Sequence, residues 1–324
     1  MKLLPIALLA SLITGCASSI TTAPSSAAQI QPQPIDTFYD YQLYTATGDP
    51  IAVSALSEAI INADVILVGE WHTHSAIHRF QTDLLRSLST KSDKLALSME
   101  QFSRPSQTIV DDYLKGNIGE QTLMSEANAW PNYQSDYRAL VEFAKQNQLP
   151  IIASNAPKST VRCIGRTGLS YLDTLEPAER GYVAQTIDTS TSPYKDKFMS
   201  SMHHGSPDQT AKQFAAQLTW DATMAESIVH FLRAHPDTQV MHIAGKFHTD
   251  NGLGTASQIL KLEPKLNVLV ISPVVEITNA DTPATSADMQ LLVLPPPTRY
   301  VQEAKRMSAY KHLGKRNDGL KCTP

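Results

Sequence analysis

Short, nearly continuous aliphatic runs recur along this 324-residue chain, and they constrain its fold more than any other feature. Such runs are typical of strands that are buried on both faces, as the strands of a parallel sheet are. The first five are predicted as buried strands and the sixth as an added edge strand. In chain order they are DVILVG (64–69), KLALSM (94–99), PIIAS (150–154), VMHIA (240–244), NVLVIS (267–272) and MQLLVL (289–294).

Amphipathic stretches lie between these runs. Residues 74–88 place apolar side chains at helical spacing, and residues 103–114 carry Pro105 near their start, where a helix tolerates proline. Residues 208–234 form the longest predicted helix, and its apolar stripe comprises Phe214, Leu218, Ala225, Ile228 and Leu232. This alternation predicts an α/β fold with a mostly parallel sheet flanked by helices.

Two long segments, about 115–147 and 158–235, interrupt the alternation. Both are largely helical in pattern and rich in aromatic residues. We predict that they build a helical cap over the carboxyl edge of the strands. The chain is then organised as a single α/β domain over residues 37–294 that includes both insertions.

The first sixteen residues, MKLLPIALLASLITGC, have the pattern of a lipoprotein signal peptide. Their apolar run is too short to cross a membrane, and small residues precede Cys16 as in a lipobox. The pattern predicts lipidation at Cys16, with residues 17–36 as a flexible tether. An ordinary secretory signal is the alternative. Because Ala17 follows the cysteine, resemblance to known lipoproteins favours the outer membrane of a bacterial cell envelope, facing the periplasm.

The remaining features of composition are less specific. The net charge of −4 does not predict nucleic-acid binding. Residues 295–324 form a basic tail, which is either solvated or in contact with an anionic lipid or a carboxylate-bearing ligand. The spacing of Cys163 and Cys322 leaves open whether they form a disulfide.

Polar side chains follow four of the predicted strands. Ligands of open α/β sheets bind outside the carboxyl ends of the strands, so these side chains are expected to meet at one rim. The rim residues are Glu70, His72, Glu100, Asn155 and His248.

Two carboxylates and two histidines suit a divalent metal, and Glu70, His72, Glu100 and His248 are the predicted ligands. In a hydrolase, Glu70 or Glu100 is the predicted general base. The residues predicted to support the site are His74, His78, Gln81 and Asn155, although His78 and Gln81 equally fit a polar helix flank. His-Glu-x-x-His, Cys-x-x-Cys-His, Gly-x-Ser-x-Gly and P-loop motifs are absent.

Several segments together resemble the ChaN-like haem-binding lipoproteins of the Tiki/TraB and erythromycin-esterase-like superfamily. They are ILVGEWHTHSAIHRFQ, LALSMEQFSRPSQTIVDDYLKG, IIASNAP, QFAAQLTWDATMAESI and HIAGKFHTDNGLG. The resemblance implies functional elements at Gly69-Glu70-x-His72, Glu100 and Gly245-x-x-His248. It implies haem binding in iron acquisition, with Tyr and His contacts and haem-sharing dimers.

No motif identifies the haem ligands. The cap offers Tyr133, Tyr137, Tyr171 and Tyr194, and the sequence MHHG offers two histidines. The candidates are Tyr133, Tyr171, His203 and His204, with Arg104 as a partner for haem propionates.

The leading prediction is a lipid-anchored haem-binding protein in haem or iron acquisition, with a homodimer and an outer-membrane haem receptor as predicted partners. The alternative is a metal-dependent hydrolase that uses the Glu/His rim. Whether the chain is an enzyme stays open.

Overall fold

The computed structural model describes residues 31–201, 206–278, 289–308 and 319–322. The signal peptide and Cys16, most of the tether, His203 and His204, and parts of the basic tail therefore lie outside the described residues. Within them, the chain forms one eight-stranded sheet. Its strands are β1 (Tyr41–Tyr44), β2 (Pro50–Ile51), β3 (Val65–Glu70), β4 (Leu95–Ser103), β5 (Ile151–Asn155), β6 (Gln239–Gly245), β7 (Val268–Val274) and β8 (Met289–Val293).

The strands lie in the order β2-β1-β8-β7-β3-β6-β4-β5. The six from β8 to β5 are parallel, and β1 runs antiparallel to both β8 and β2. The predicted mostly parallel α/β sheet is thus confirmed. The prediction that residues 289–294 form an edge strand is wrong, because β1 and β2 extend the sheet beyond β8. These two strands are short and have no continuous aliphatic run.

The described helices are α1 (Glu58–Ile61), α2 (Ser75–Ser89), α3 (Gln107–Leu114), α4 (Glu120–Glu126), α5 (Arg138–Gln146), α6 (Lys158–Thr167), α7 (Pro177–Arg180), α8 (Pro193–Ser201), α9 (Pro207–Ala234), α10 (Lys246–Thr249) and α11 (Thr255–Leu262). Helix α3 begins later than predicted, because β4 continues through Ser103 and a 3₁₀ turn over Arg104–Ser106 follows it. No described helix is long and apolar enough to span a membrane.

Alternate residues of the central strands pack on opposite faces of the sheet, as strand geometry requires. Ile66 and Val68 of β3 face a core that contains the apolar sides of α2 and α5. Val65 and Leu67 face a second core formed with α9 and α11. The apolar face predicted for α2 is fully buried, since Ile77, Phe80, Leu84 and Leu88 are at most 1% exposed.

The two insertions differ in position. Leu123, Tyr133 and Leu140 of the first insertion join the main core beneath the sheet. In the second, the amino-terminal half of α9 packs Phe214 against Tyr194 and Phe198 of α8 in a separate small cluster. With 28 residues, α9 is about 42 Å long, so it covers the sheet and also reaches past its edge.

Two local contacts involve the edge of the sheet and the carboxyl end of the chain. Strand β5 is an edge strand, and the Gln107 amide bonds its outer backbone: Nε2 donates to the Ile151 carbonyl at 2.8 Å and Oε1 accepts from the Ala153 N–H at 2.7 Å. At the carboxyl end of the chain, a disulfide joins Cys163 of α6 to Cys322. The two cysteines whose pairing the sequence leaves open therefore form a disulfide.

Candidate functional site at the carboxyl edge of the sheet

The ends of β3, β4 and β6 bring the predicted rim residues together. Glu70 pairs with Gly245 at the end of the β3–β6 ladder. Glu100 lies in the added length of β4, and His248 lies in α10, directly after β6. Because these strands are parallel, their carboxyl ends open onto one surface.

Glu70 is a buried carboxylate held by four hydrogen bonds. Its Oε1 accepts from the Tyr137 hydroxyl at 2.6 Å, from His72 Nδ1 at 2.9 Å and from Gln101 Nε2 at 3.1 Å. Its Oε2 accepts from Gln81 Nε2 at 2.7 Å. Burial opposes ionisation, but the hydrogen bond from His72 and neighbouring histidine charge lower the pKa of Glu70 overall. Glu70 is therefore an anion that orients its neighbours.

His72 is the accessible histidine of the rim, with 44% of its side chain exposed. Since Nδ1 faces the Glu70 carboxylate, Nδ1 carries a proton and Nε2 is directed elsewhere. Burial opposes protonation, yet the hydrogen bond to Glu70 and the charge of Glu100 raise the pKa of His72. The ring lies edge-on to Trp130, with centroids 4.9 Å apart.

Gly245 leaves the space that the His72 ring occupies. A Cβ at position 245 would lie 2.7 Å from His72 Cε1 and 2.8 Å from Nε2, closer than real contacts allow. The Gly245 N–H also donates to Glu100 Oε2 at 2.6 Å. The glycine of the Gly-x-x-His element thus leaves room for the His72 ring and binds the Glu100 carboxylate through its N–H.

His248 is buried between two carboxylates. Its Nδ1 lies 3.0 Å from Asp221 Oδ1, and its Nε2 lies 3.6 Å from Glu100 Oε1. Burial opposes protonation, but the charges of Asp221 and Glu100 raise the pKa of His248 to about 9. His248 is therefore a cation at neutral pH.

Asp221 is a site residue that the sequence analysis missed. It also accepts from the Tyr194 hydroxyl at 2.7 Å and from Thr255 Oγ1 at 2.9 Å. A signal was present, because position 221 falls between Leu218 and Ala225 on the apolar stripe of α9. A carboxylate on a buried stripe requires a partner.

The residues predicted to support the site bind the rim residues or the segments next to them. His78 lies with Nδ1 3.0 Å from Gln81 Oε1, which fixes the amide that binds Glu70. Asn155 Nδ2 donates to the Glu100 carbonyl at 3.0 Å. His74 Nε2 lies 2.9 Å from the Leu294 carbonyl and ties the start of α2 to the carboxyl-terminal segment.

A groove of about 890 Å³ opens at this rim. Its walls combine aromatic and proline surface with histidine nitrogens and charged groups. The residues that line it are Phe38, Glu70, Trp71, His72, Thr73, His74, Lys197, Gly245, Lys246, Phe247, His248, Asp250, Pro296, Pro297, Thr298 and Arg299.

The described haem candidates lie elsewhere. Tyr133 is buried in the main core, with its ring centroid 6.2 Å from that of Phe102. Tyr171 packs against the cluster around α6. The Arg104 guanidinium is bound to Glu226, with Nη1 3.0 Å from Oε1. None of the three lines the groove, and Tyr137 is the cap tyrosine that reaches Glu70 instead.

The rim does not have the arrangement of a metal centre. Among the described residues, no group of three or more His, Cys, Asp or Glu side chains is placed to hold a metal ion. Both Glu70 oxygens accept hydrogen bonds, and Glu100 Oε2 accepts one from the Gly245 backbone. The predicted divalent-metal site at Glu70, His72, Glu100 and His248 is therefore not supported.

Comparison with known proteins identifies relatives of this architecture. The sequence model of the family described as haem-binding uptake, Tiki superfamily, ChaN matches residues 56–259. The solved structure described as cofacial heme binding to ChaN of Campylobacter jejuni has a TM-score of 0.58 at 18% identity, over 80% of this chain and 99% of that one.

An erythromycin esterase mutant in its open conformation has a TM-score of 0.43 at 11% identity, over 83% of this chain and 86% of that one. No curated protein matches the sequence.

Proposed function

Because this chain belongs to the ChaN haem-binding uptake family of the Tiki superfamily, we propose that it binds haem in the groove and takes part in haem or iron acquisition. Family membership supports haem as the ligand. The groove is the part of the described structure that best suits it, since haem needs a partly apolar slot that also supplies an iron ligand.

The observation that carries this proposal is the orientation of His72. Its Nδ1 is engaged by the Glu70 carboxylate, and its exposed ring lies on the groove wall. A histidine whose second nitrogen bonds a carboxylate is the usual arrangement of a metal-binding imidazole, because the carboxylate fixes the ring and increases its basicity. His72 Nε2 is accordingly our proposed iron ligand, in place of the tyrosines predicted from the sequence.

The groove walls fit the remainder of a haem molecule. Phe38, Trp71 and Phe247 provide aromatic surface, and Pro296 and Pro297 provide aliphatic surface. When bound, haem would supply the iron and its redox or coordination chemistry. The protein's part is to bind the macrocycle and to orient the imidazole.

A hemin titration followed by the Soret band tests the proposal. We expect a saturable shift with defined stoichiometry, and at least tenfold weaker binding in His72→Ala. The matched control is His235→Ala, which removes an exposed histidine at the end of α9. Absence of a saturable shift in the natural chain would overturn haem binding. Unchanged affinity in His72→Ala would overturn only the ligand assignment.

The pH dependence gives a second readout. A protonated imidazole cannot bind iron, and the pKa of His72 is raised by its contact with Glu70 and by the charge of Glu100, against the effect of burial. Hemin affinity should therefore increase as the pH rises through that pKa. In His72→Ala this dependence should disappear.

Localisation and partners are part of the same proposal. We propose lipidation at Cys16 and residence in the cell envelope, at the outer membrane facing the periplasm. The Cys163–Cys322 disulfide supports an oxidising compartment. Loss of labelled palmitate and of membrane association in Cys16→Ser tests the anchor. A homodimer and an outer-membrane haem receptor are the proposed partners, and light scattering with and without hemin tests the dimer.

One observation favours the alternative of a hydrolase. A buried carboxylate that orients an accessible histidine is also how a general base is held. Aryl ester hydrolysis that is lost in His72→Ala, and unaffected by a chelator, would support an esterase without metal. Activity that a chelator abolishes would instead support the metal-dependent enzyme predicted from the sequence.

A further inference from the structure

Exposed hydrophobic side chains are concentrated in two short segments of the chain. Among the described residues, nine large hydrophobic side chains are exposed, and five of them belong to residues 38–39 and 300–307. Single exposed hydrophobic residues are ordinary on a protein surface, whereas a concentration of them marks contact with another molecule or a membrane. The five are Phe38, Tyr39, Tyr300, Val301 and Met307.

The two segments meet beside the groove. Phe38 and Arg299 both line it, so the residues next to them in the chain lie at its opening. His74 contacts both segments, because its ring centroid lies 5.1 Å from that of Phe38 and its Nε2 lies 2.9 Å from the Leu294 carbonyl. We call the exposed side chains at this opening the apolar face, which comprises Phe38, Tyr39, Tyr300 and Val301.

The chain that carries the proposed lipid anchor enters the domain at this face. The twenty residues 17–36 separate Cys16 from the first residues of the domain, and fully extended they span at most roughly 70 Å. A surface tethered next to a bilayer meets it at high effective concentration, so that even weak contacts are sufficient for docking. The apolar face begins only two residues after this segment, so the anchor brings it to the bilayer by the shortest path.

The composition of the face suits the interface between lipid and water. Tyrosine and phenylalanine place an apolar ring at the level of the lipid headgroups, and the affinity of such surfaces increases with the apolar area that they bury. Val301 is 92% exposed and Tyr39 is 63% exposed, so both are free to insert. The charge of the face is mixed, because Arg299 lies on one segment and Asp40 on the other. Apolar contact is therefore the main source of affinity.

We propose that the apolar face docks onto the phospholipid bilayer that holds the lipid anchor, with the opening of the groove next to the bilayer surface. This inference rests on the lipidation at Cys16 that forms part of the proposed function. A second copy of the chain is the competing occupant. The bilayer is favoured because the anchored segment leads directly into the face.

Tryptophan quenching by brominated phospholipids locates the surface that contacts the bilayer. The lipidated full chain is reconstituted in phosphatidylethanolamine–phosphatidylglycerol vesicles with brominated acyl chains, as Tyr39→Trp, Tyr300→Trp and Ile61→Trp. The signal of the natural chain is subtracted. We expect roughly threefold stronger quenching in the first two variants, since an interfacial side chain reaches the acyl region. Ile61 is the matched control, because it is about as exposed as Phe38 but lies just before β3, at the amino edge of the sheet.

A second set of variants tests the side chains of the face. In the Tyr300→Trp chain, Tyr39→Ser and Val301→Ser together should reduce the quenching about threefold, because they remove most of the inserted apolar area. Ile61→Ser should leave the quenching unchanged. Tyr39 and Val301 are exposed and do not line the groove, so their substitution should not alter the fold. Circular dichroism and the urea midpoint check this.

Two results would overturn the proposal. Equal quenching at all three tryptophan positions would mean that the tether holds the domain near the bilayer with no preferred face. The other result is an emission shift in Tyr300→Trp that increases with protein concentration in the absence of vesicles, together with no quenching by brominated lipid. It would assign the face to a second copy of the chain.

The face and the anchor can fail separately. If Cys16 incorporates no labelled palmitate, the anchor is overturned, and the brominated vesicles are then added to the unlipidated chain. Stronger quenching in Tyr39→Trp and Tyr300→Trp than in Ile61→Trp would still support the face, and equal quenching would overturn both. Hemin enters none of these measurements, so their outcome is independent of haem binding.

Discussion

The disulfide between Cys163 and Cys322 should contribute several kcal/mol to stability. It joins residues 159 apart in sequence, so it restricts the unfolded chain over almost half its length. For a loop of this length, the chain-entropy relation gives a stabilisation of about 5 kcal/mol. This is an upper value, because reduction also frees the carboxyl-terminal residues in the folded state, and the conformational entropy that they gain there offsets part of the stabilisation.

Urea unfolding with and without reductant measures this contribution, with Cys16→Ser in every variant to prevent mispairing. The oxidised chain should have a free energy of unfolding about 2 to 5 kcal/mol above that of the reduced chain. The variant Cys163→Ala/Cys322→Ala should match the reduced chain and be insensitive to reductant.

An oxidised and a reduced chain with the same midpoint and slope would refute this reasoning. The result would mean that the disulfide places little constraint on the unfolded ensemble, or that freeing the tail in the folded state compensates for it. A sensitivity to reductant that persists in the double alanine variant would attribute the effect to something other than this bond.

Three further perturbations test individual parts of the structure. Gly245→Ala should displace the neighbouring imidazole and weaken hemin binding at least tenfold, whereas Gly119→Ala, which has open space around it, should not. The pKa of His248 is about 9 in the folded chain against 6.5 in the unfolded one, so protonation of His248 stabilises the fold fully below pH 6.5. As the pH rises from 6.5 to 9, the free energy of unfolding of the protein should fall by about 3 kcal/mol. In urea titrations, His248→Gln should make the free energy of unfolding less dependent on pH over this range. Gln107→Ala should lower unfolding free energy by about 1–2 kcal/mol and increase light scattering, since it exposes an edge strand, whereas Gln146→Ala at an exposed helix end should do neither.

The central architecture could be predicted because its signals are local. Aliphatic runs of five or six residues predict buried strands wherever they occur, and β3 and β6 match their runs to within one residue. Strands β1 and β2 could not be predicted in this way, because their stability depends on pairing with β8, which is distant in sequence.

The site was predictable only in part, for a related reason. Glu70 and Glu100 lie near the carboxyl ends of β3 and β4, His248 follows β6, and topology alone brings such positions together. The orientation of each side chain depends on distant partners such as Tyr137 and Asp221. No motif assigns either residue a role, although Asp221 lies within one of the segments that resemble the family, and a carboxylate on the buried stripe of α9 indicates that it has a partner.

Gly245 has a consequence for the comparison of related chains. Searches for a shared site usually follow the residues that carry functional groups, here His72 and Glu100. The geometry depends equally on a position with no side chain at all, because even a methyl group there would occupy the place of the imidazole. A relative that keeps both polar residues but has alanine at this position would look intact in an alignment and lack the arrangement. Glycine at position 245 is therefore a better indicator than His72 or Glu100 of which family members share this geometry.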